Sequence, residues 1–279
     1  MKSKSGMRQF IWSFLLVAAL AMFASCGGGN SGATSNNTEY AYVANWASSN
    51  ISQYTIGANG VLTAMAASAV GAGSDPFRVT VDPSGKYAYV ANFGQSSGLG
   101  GGNISQYTIG SRGALTPMST ATVQAGGYPS SVAVDPSGKY VYVANEFTNN
   151  VSQFNISTGG ALTPMAIATV QAGTGPITIT IDPSGKYVYV ANEFTNNVSQ
   201  FTIGTDGALT PMATETVPAG TEPYSVTVDP SGRYVYVANY GDGTVSQYTI
   251  GTGGALTAMT TATIAAGSFP SSIVTIKPF

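Results

Sequence analysis

Residues 139–145, Lys139-Tyr140-Val141-Tyr142-Val143-Ala144-Asn145, put apolar or aromatic groups on both faces of one short strand. Tyr140 and Tyr142 point one way, Val141 and Val143 the other. A sheet with one wet face alternates apolar with polar residues, so this run predicts a strand covered on both sides. The run recurs at 186–192 and, with Arg for Lys, at 233–239; looser copies begin at Lys86 and Glu39. Tyr40, Tyr87, Tyr140, Tyr187 and Tyr234 mark the copies, at spacings of 47, 53, 47 and 47. Such a period signals a solenoid, propeller or array.

No helical periodicity appears within the unit. Four β-rich runs are separated by Gly, Pro, Asn and Asp punctuation. In the third copy the first strand is 131–134. Asp135-Pro136-Ser137-Gly138 is a tight turn, with Pro suited to the second position and Gly free to take positive φ. The second strand spans 140–144, the third 151–156 and the fourth 162–170. Small four-stranded sheets covered on both faces stack radially, and the fold class predicted is all-β, a five-bladed β-propeller of four-stranded antiparallel blades. The first copy begins at its second strand, and the chain finishes on a first-strand sequence, 272–276. That tail is predicted to complete the N-terminal blade and close the ring, removing the open edge of a repeat array.

Tyr-Val-Tyr-Val-Ala-Asn after Asp-Pro-Ser-Gly-Lys, with Val-Ser-Gln-Tyr-Thr-Ile following, resembles the YVTN family of β-propeller repeats, over about residues 39–279. This family sits close to the lactonase-type propellers. The resemblance implies a propeller fold and, as an activity, lactone hydrolysis. Lactonase-type members usually have seven blades, against material for five here. The resemblance also implies a site of His, Glu and Arg groups in the central cleft, whereas this chain has no His.

Composition adds a location. Only 8% of residues are charged, with 35 Gly and 16 Tyr, which suits an exported all-β protein. Residues 1–26 read as an export leader: Lys2, Lys4 and Arg8 precede an apolar run at 10–24, too short for a spanning helix. Ala24 and Ser25 before Cys26 resemble a bacterial lipobox, making Cys26 the expected lipidation site and anchor to the membrane; Phe23 stands where Leu is usual. Residues 27–38 form a Gly/Ser/Asn-rich tether, and 39–279 the propeller. Without the leader, seven basic groups face twelve acidic ones, a net −5, and nothing basic clusters, so nucleic acid is not an expected partner. One Cys and no His leave no metal-ligand cluster and no internal disulfide.

Strand alternation puts the second-to-third connections and the inter-blade loops at one end of the ring, and the near-invariant Asp-Pro-Ser-Gly turns at the other. Function is expected on variable loops of a rigid scaffold. The variable end collects Trp46, Phe93, Phe147, Phe194 and Tyr240, one aromatic per blade, with Glu146, Glu193 and Asp242. Inter-blade loops add Asp75, Phe77, Arg78, Tyr128, Glu222, Tyr224 and Phe269. The aromatics read either as packing between blades or as stacking platforms for a ligand such as a sugar. Arg78 is the one basic group expected there, and reads first as a pairing partner for Asp75 or another acid. The fivefold repetition of Gln53 and Asn45, and the fourfold repetition of Asp82, point to framework roles.

With no catalytic set in view, these features predict a non-catalytic, envelope-anchored monomer. It would bind a protein, glycan or envelope component through its variable face and carry no cofactor. The alternatives are a lactonase-like hydrolase, implied by the resemblance alone, and a multivalent carbohydrate-binding propeller.

Overall fold

The structure is a computed structural model that describes residues 38–94 and 101–277. The leader, Cys26, nearly all of the tether and the centre of the second-blade loop insertion lie outside the described residues. Among the described residues every element is a strand, and the five sheets are the blades of a β-propeller.

The first blade holds β1 (Glu39–Asn45), β2 (Asn50–Ile56) and β3 (Leu62–Gly71). The second holds β4 (Pro76–Val81), β5 (Tyr87–Asn92), β6 (Asn103–Ile109) and β7 (Leu115–Gln124). The third holds β8 (Pro129–Val134), β9 (Tyr140–Asn145), β10 (Asn150–Ile156) and β11 (Leu162–Gln171). The fourth holds β12 (Pro176–Ile181), β13 (Tyr187–Asn192), β14 (Asn197–Ile203) and β15 (Leu209–Pro218). The fifth holds β16 (Pro223–Val228), β17 (Tyr234–Asn239), β18 (Thr244–Ile250) and β19 (Leu256–Ala265). All pairings are antiparallel between sequence neighbours.

Each predicted turn is built by its aspartate. Asp135 Oδ1 accepts from the Lys139 and Tyr140 backbone N–H groups at 2.8 and 2.7 Å, and Oδ2 accepts from the Ser137 N–H and hydroxyl. Gly138 takes φ 70°, which the turn requires. Asp82, Asp182 and Asp229 repeat the arrangement, so these carboxylates are framework, as the repetition implied.

The glutamines join blades. Gln153 Nε2 donates to the Ile167 carbonyl, where the β10–β11 register slips. Its Oε1 accepts from Leu209 N–H of the next blade at 2.6 Å. Gln53, Gln106 and Gln200 do the same to Leu115, Leu162 and Leu256. A second clasp comes from the buried tyrosines: Tyr42, Tyr89, Tyr142 and Tyr189 donate to the carbonyls of Gly113, Gly160, Gly207 and Gly254, each at 2.6 Å. Around these clasps lie four apolar clusters, each shared by two adjacent blades. The strand-end asparagines are framework as well: Asn145 Oδ1 accepts from the Gly126 N–H, and its Nδ2 donates to the Asn150 and Ser152 side chains.

The expected ring closure is corrected. The sheet of β1, β2 and β3 has three strands, and residues 271–277 form no strand. The tail lies instead along β16, where Ile273 N–H donates to Ser225 Oγ at 3.2 Å and Thr275 Oγ1 to the Val228 carbonyl at 3.0 Å. Similar packing at four interfaces sets a similar rotation at each step. Those rotations leave the tail beside the fifth blade rather than beside β1.

Candidate functional site

Innermost strands β4, β8, β12 and β16 pack side by side around the centre. The residue before each strand's leading proline is left-handed: Asp75 at φ 53°, Tyr128 at 57°, Gly175 at 72° and Glu222 at 51°. Three of these four are not glycine, and such strain persists where the surroundings impose it. The imposed feature is a backbone tie. The carbonyls of these four residues accept from Phe93, Glu146, Glu193 and Tyr240 N–H groups at 2.8–2.9 Å, which ties the first residue of each second-to-third connection to the loop ahead of the innermost strand. Sequence reading missed this strain; its signal is a fivefold X-Pro after a Gly-containing loop.

Two of the four residues so held are carboxylic acids. Glu146 and Glu193 are buried, at 8% and 6% exposure, each interacting with its surroundings. Glu222 is exposed. Asp242 is an exposed loop brace. Its partial burial would raise its pKa, but bonds from Thr244 Oγ1 and the Thr221 N–H outweigh that and hold it below the usual carboxylate range.

Arg78 does not turn back to Asp75. Its Nη2 donates to Thr178 Oγ1 at 3.3 Å, reaching from the second blade to the fourth. Thr178 in turn donates to the Tyr224 carbonyl at 2.6 Å, bringing in the fifth blade. Phe77 lies beneath the guanidinium carbon at 5.7 Å. Arg78 Nε is buried and has no hydrogen-bond partner among the described residues. Burial lowers the guanidinium pKa from the usual arginine value, with Tyr224 opposing. Burial raises Asp75, the opposite of what a guanidinium partner would do. The sequence could flag Arg78 as the lone base at this end, but not Thr178, which reads as an ordinary strand residue.

The aromatics mostly pack on one another. Trp46 meets Phe77 and Phe93 at 5.6 and 5.2 Å, Phe93 stacks on Tyr128 at 4.5 Å, and Tyr128 meets Phe147 at 5.2 Å. Tyr240 bridges Tyr224 and Phe269. Phe194 covers Gly175, where an added Cβ would lie 2.6 Å from the ring. One run across the first three blades and a second in the fifth blade and its tail, rather than five separate platforms, match the packing reading. At the opposite end, a furrow lined by Asp182, Ser184, Tyr187, Ser231 and Thr252 is made of turn framework and is open to solvent.

The family model for "Lactonase, 7-bladed beta-propeller" matches residues 32–127, 111–219 and 167–272, together most of the chain. The chain belongs to this lactonase family. Membership overturns the expectation of a non-catalytic binding scaffold and favours the hydrolase alternative. No curated protein matches the sequence significantly. Among solved structures, a candidate 6-phosphogluconolactonase from Bacteroides fragilis superposes with TM-score 0.72 at 22% identity, over 86% of this chain and 70% of that one. A Lactobacillus plantarum protein gives 0.72 at 20%, over 84% and 70%. The periplasmic gluconolactonase of Pseudomonas aeruginosa gives 0.69 at 19%, over 82% and 68%. At these identities the likeness is one of fold.

Proposed function

We propose that this lactonase-family chain hydrolyses sugar lactones at the loop end of its central cleft, with Arg78 as the group that binds the lactone carbonyl. The observation that carries this reading is the Arg78 guanidinium. It is half-buried, with Nε shielded from solvent, at the meeting point of the second, fourth and fifth blades, on a chain whose family is lactonase.

Ester hydrolysis develops negative charge on the carbonyl oxygen as water adds. A preorganised donor in a water-poor site stabilises that charge more than bulk water does, by amounts of order 3 kcal/mol for one such donor. A half-buried guanidinium suits the task because it stays protonated across physiological pH. The step also needs a base within reach of the attacking water. In this reading a buried carboxylate, Glu146 or Glu193, takes the water proton. The oxygen bonds to the carbonyl carbon, the ring C–O bond breaks, and the released alkoxide takes up a proton to give the hydroxy acid.

Gluconolactone and 6-phosphogluconolactone are the first substrates to test, following the activities named for the Pseudomonas and Bacteroides proteins. Proton release in a pH-stat should exceed the spontaneous rate, and Arg78→Met should bring it back to background with the fold intact. Hydrolysis unchanged in Arg78→Met would remove Arg78 from the reaction. We also propose the finer assignments of YVTN-type repeats, export, and lipid attachment at Cys26, supported by the repeat motif and residues 1–26. A mature N-terminal mass carrying diacylglycerol on Cys26 tests the last.

A further inference from the structure

The described residues carry 7 cationic and 12 anionic side chains, and the fold sorts them by end. Lys86, Lys139, Lys186 and Arg233 close the Asp-Pro-Ser-Gly turns, and Arg112 lies in a third-to-fourth turn. Lys277 follows Thr275, which bonds to Val228 where β16 runs into its turn. The same end holds the four turn aspartates, Glu39 and Asp206, so six positive groups meet six negative ones and cancel. Glu215 sits on outer strand β15. The loop end keeps the rest: the Arg78 guanidinium against the carboxylates of Asp75, Glu146, Glu193, Glu222 and Asp242, a formal net of −4. Setting aside the buried Glu146 and Glu193 still leaves three carboxylates to one guanidinium.

The fold also fixes where that negative charge stands. Asp75 and Glu222 occupy the left-handed positions ahead of innermost strands β4 and β16, the strands that flank the centre. Asp242 is braced in its loop by the Thr221 N–H and Thr244 Oγ1. Arg78 reaches to Thr178 rather than to Asp75, so the charge at this end is not neutralised by pairing with it. Beside the acids the rim is aromatic. Phe147 and Phe194, next in sequence to Glu146 and Glu193, are 54% and 49% exposed. Such rings pack against the C–H face of a sugar and offer nothing to an anion.

We infer that the loop end selects by charge: it takes unphosphorylated sugar lactones and turns phosphorylated ones away. The inference rests on the lactone hydrolysis proposed above and names its substrate class. A phosphate monoester adds about −1.5 to −2 of charge near neutral pH. Its recognition calls for clustered cations or a helix N-terminus. Among the described residues this end has one guanidinium, already engaged with the lactone carbonyl in that reading, and no helix. A cleft lined by one sign of charge lowers the local concentration of ligands of the same sign. The product follows the same rule. Hydrolysis turns a neutral lactone into an anionic hydroxy acid, so the field that admits the substrate favours departure of the product.

The test compares gluconolactone with 6-phosphogluconolactone hydrolysis by the full chain at ionic strengths of about 0.01 and 0.15 M, where charge is felt over roughly 30 and 8 Å. At the lower strength kcat/KM should be roughly tenfold or more higher for gluconolactone, and the ratio should shrink at the higher. Asp75→Asn combined with Glu222→Gln removes two charges and should shrink the low-salt ratio severalfold. The rim charge is also read without turnover, because Trp46 lies 5.6 Å from Phe77, two residues after Asp75. Tryptophan quenching by iodide should rise in the double variant at low salt, while quenching by neutral acrylamide stays the same. A phosphorylated lactone turned over as fast as gluconolactone, or iodide quenching equal in the two proteins, would overturn this inference and leave lactone hydrolysis standing. Background rates with both lactones would overturn the hydrolysis and this inference together.

Discussion

Gln153 Oε1 accepts a 2.6 Å hydrogen bond from Leu209 N–H, and Gln247, its counterpart in the fifth blade, stands partly exposed. Gln153→Ala strands a buried N–H and should cost about 1–3 kcal/mol in denaturant unfolding. Gln247→Ala should cost well under 1 kcal/mol, as surface substitutions do. Equal losses at both positions would contradict the exposure of Gln247.

Gly160→Ala and Gly60→Ala make a second contrast. Both sites are left-handed, at φ 83° and 77°, so both alanines carry backbone strain of order 1 kcal/mol. Only Gly160 also has the Tyr87 ring 2.2 Å from the new Cβ. Thermal melting should show Gly160→Ala as clearly the more damaging of the two.

Alkaline pH should loosen the blade contacts. Burial pushes the Tyr42 hydroxyl up to about 12, with Tyr40 adding to the shift. Burial also raises Tyr89, Tyr142 and Tyr189, more strongly. In the unfolded chain these groups lose their protons near pH 10, before the folded chain does. Above pH 10 the unfolded state therefore binds fewer protons, and stability falls as pH rises. It is fully present below pH 10 and drains through pH 12 for Tyr42, at up to about 1.4 kcal/mol per pH unit per tyrosine. Melting curves from pH 9 to 12 should shift downward, with a shallower slope in Tyr142→Phe.

Much of this was legible because repetition makes local rules visible. Asp135 in Asp-Pro-Ser-Gly, Gly138 at positive φ and the two-faced run Tyr140–Ala144 each require a turn or a covered strand wherever they occur. The framework role of Gln153 follows from its recurrence. Ring closure was not legible, because the rotation between blades is set by three-dimensional packing of Tyr142 and Val190 types, not by strand count. Arg78 was visible as a lone base; its reach to Thr178, 100 residues away, depends on that same rotation. The aromatics of the rim and a packing role for them could be seen, but not which ring Phe93 would stack on.

Substitution at Thr178 separates holding from chemistry. Thr178→Val removes the hydroxyl that accepts from Arg78 and donates to the Tyr224 carbonyl. Lactone hydrolysis should fall by roughly tenfold, less than for Arg78→Met, since about 1.4 kcal/mol of orientation is at stake. Thr178→Ser should keep most of the rate.

The most direct measurement is the rate of gluconolactone hydrolysis by the intact chain beside Arg78→Met and Arg78→Lys, each checked for unchanged melting. A rate above background that Arg78→Met lowers by 100-fold or more and Arg78→Lys partly restores is the expected result. Hydrolysis at the spontaneous rate with every lactone tried, or an Arg78→Met variant as fast as the parent, would contradict the proposal.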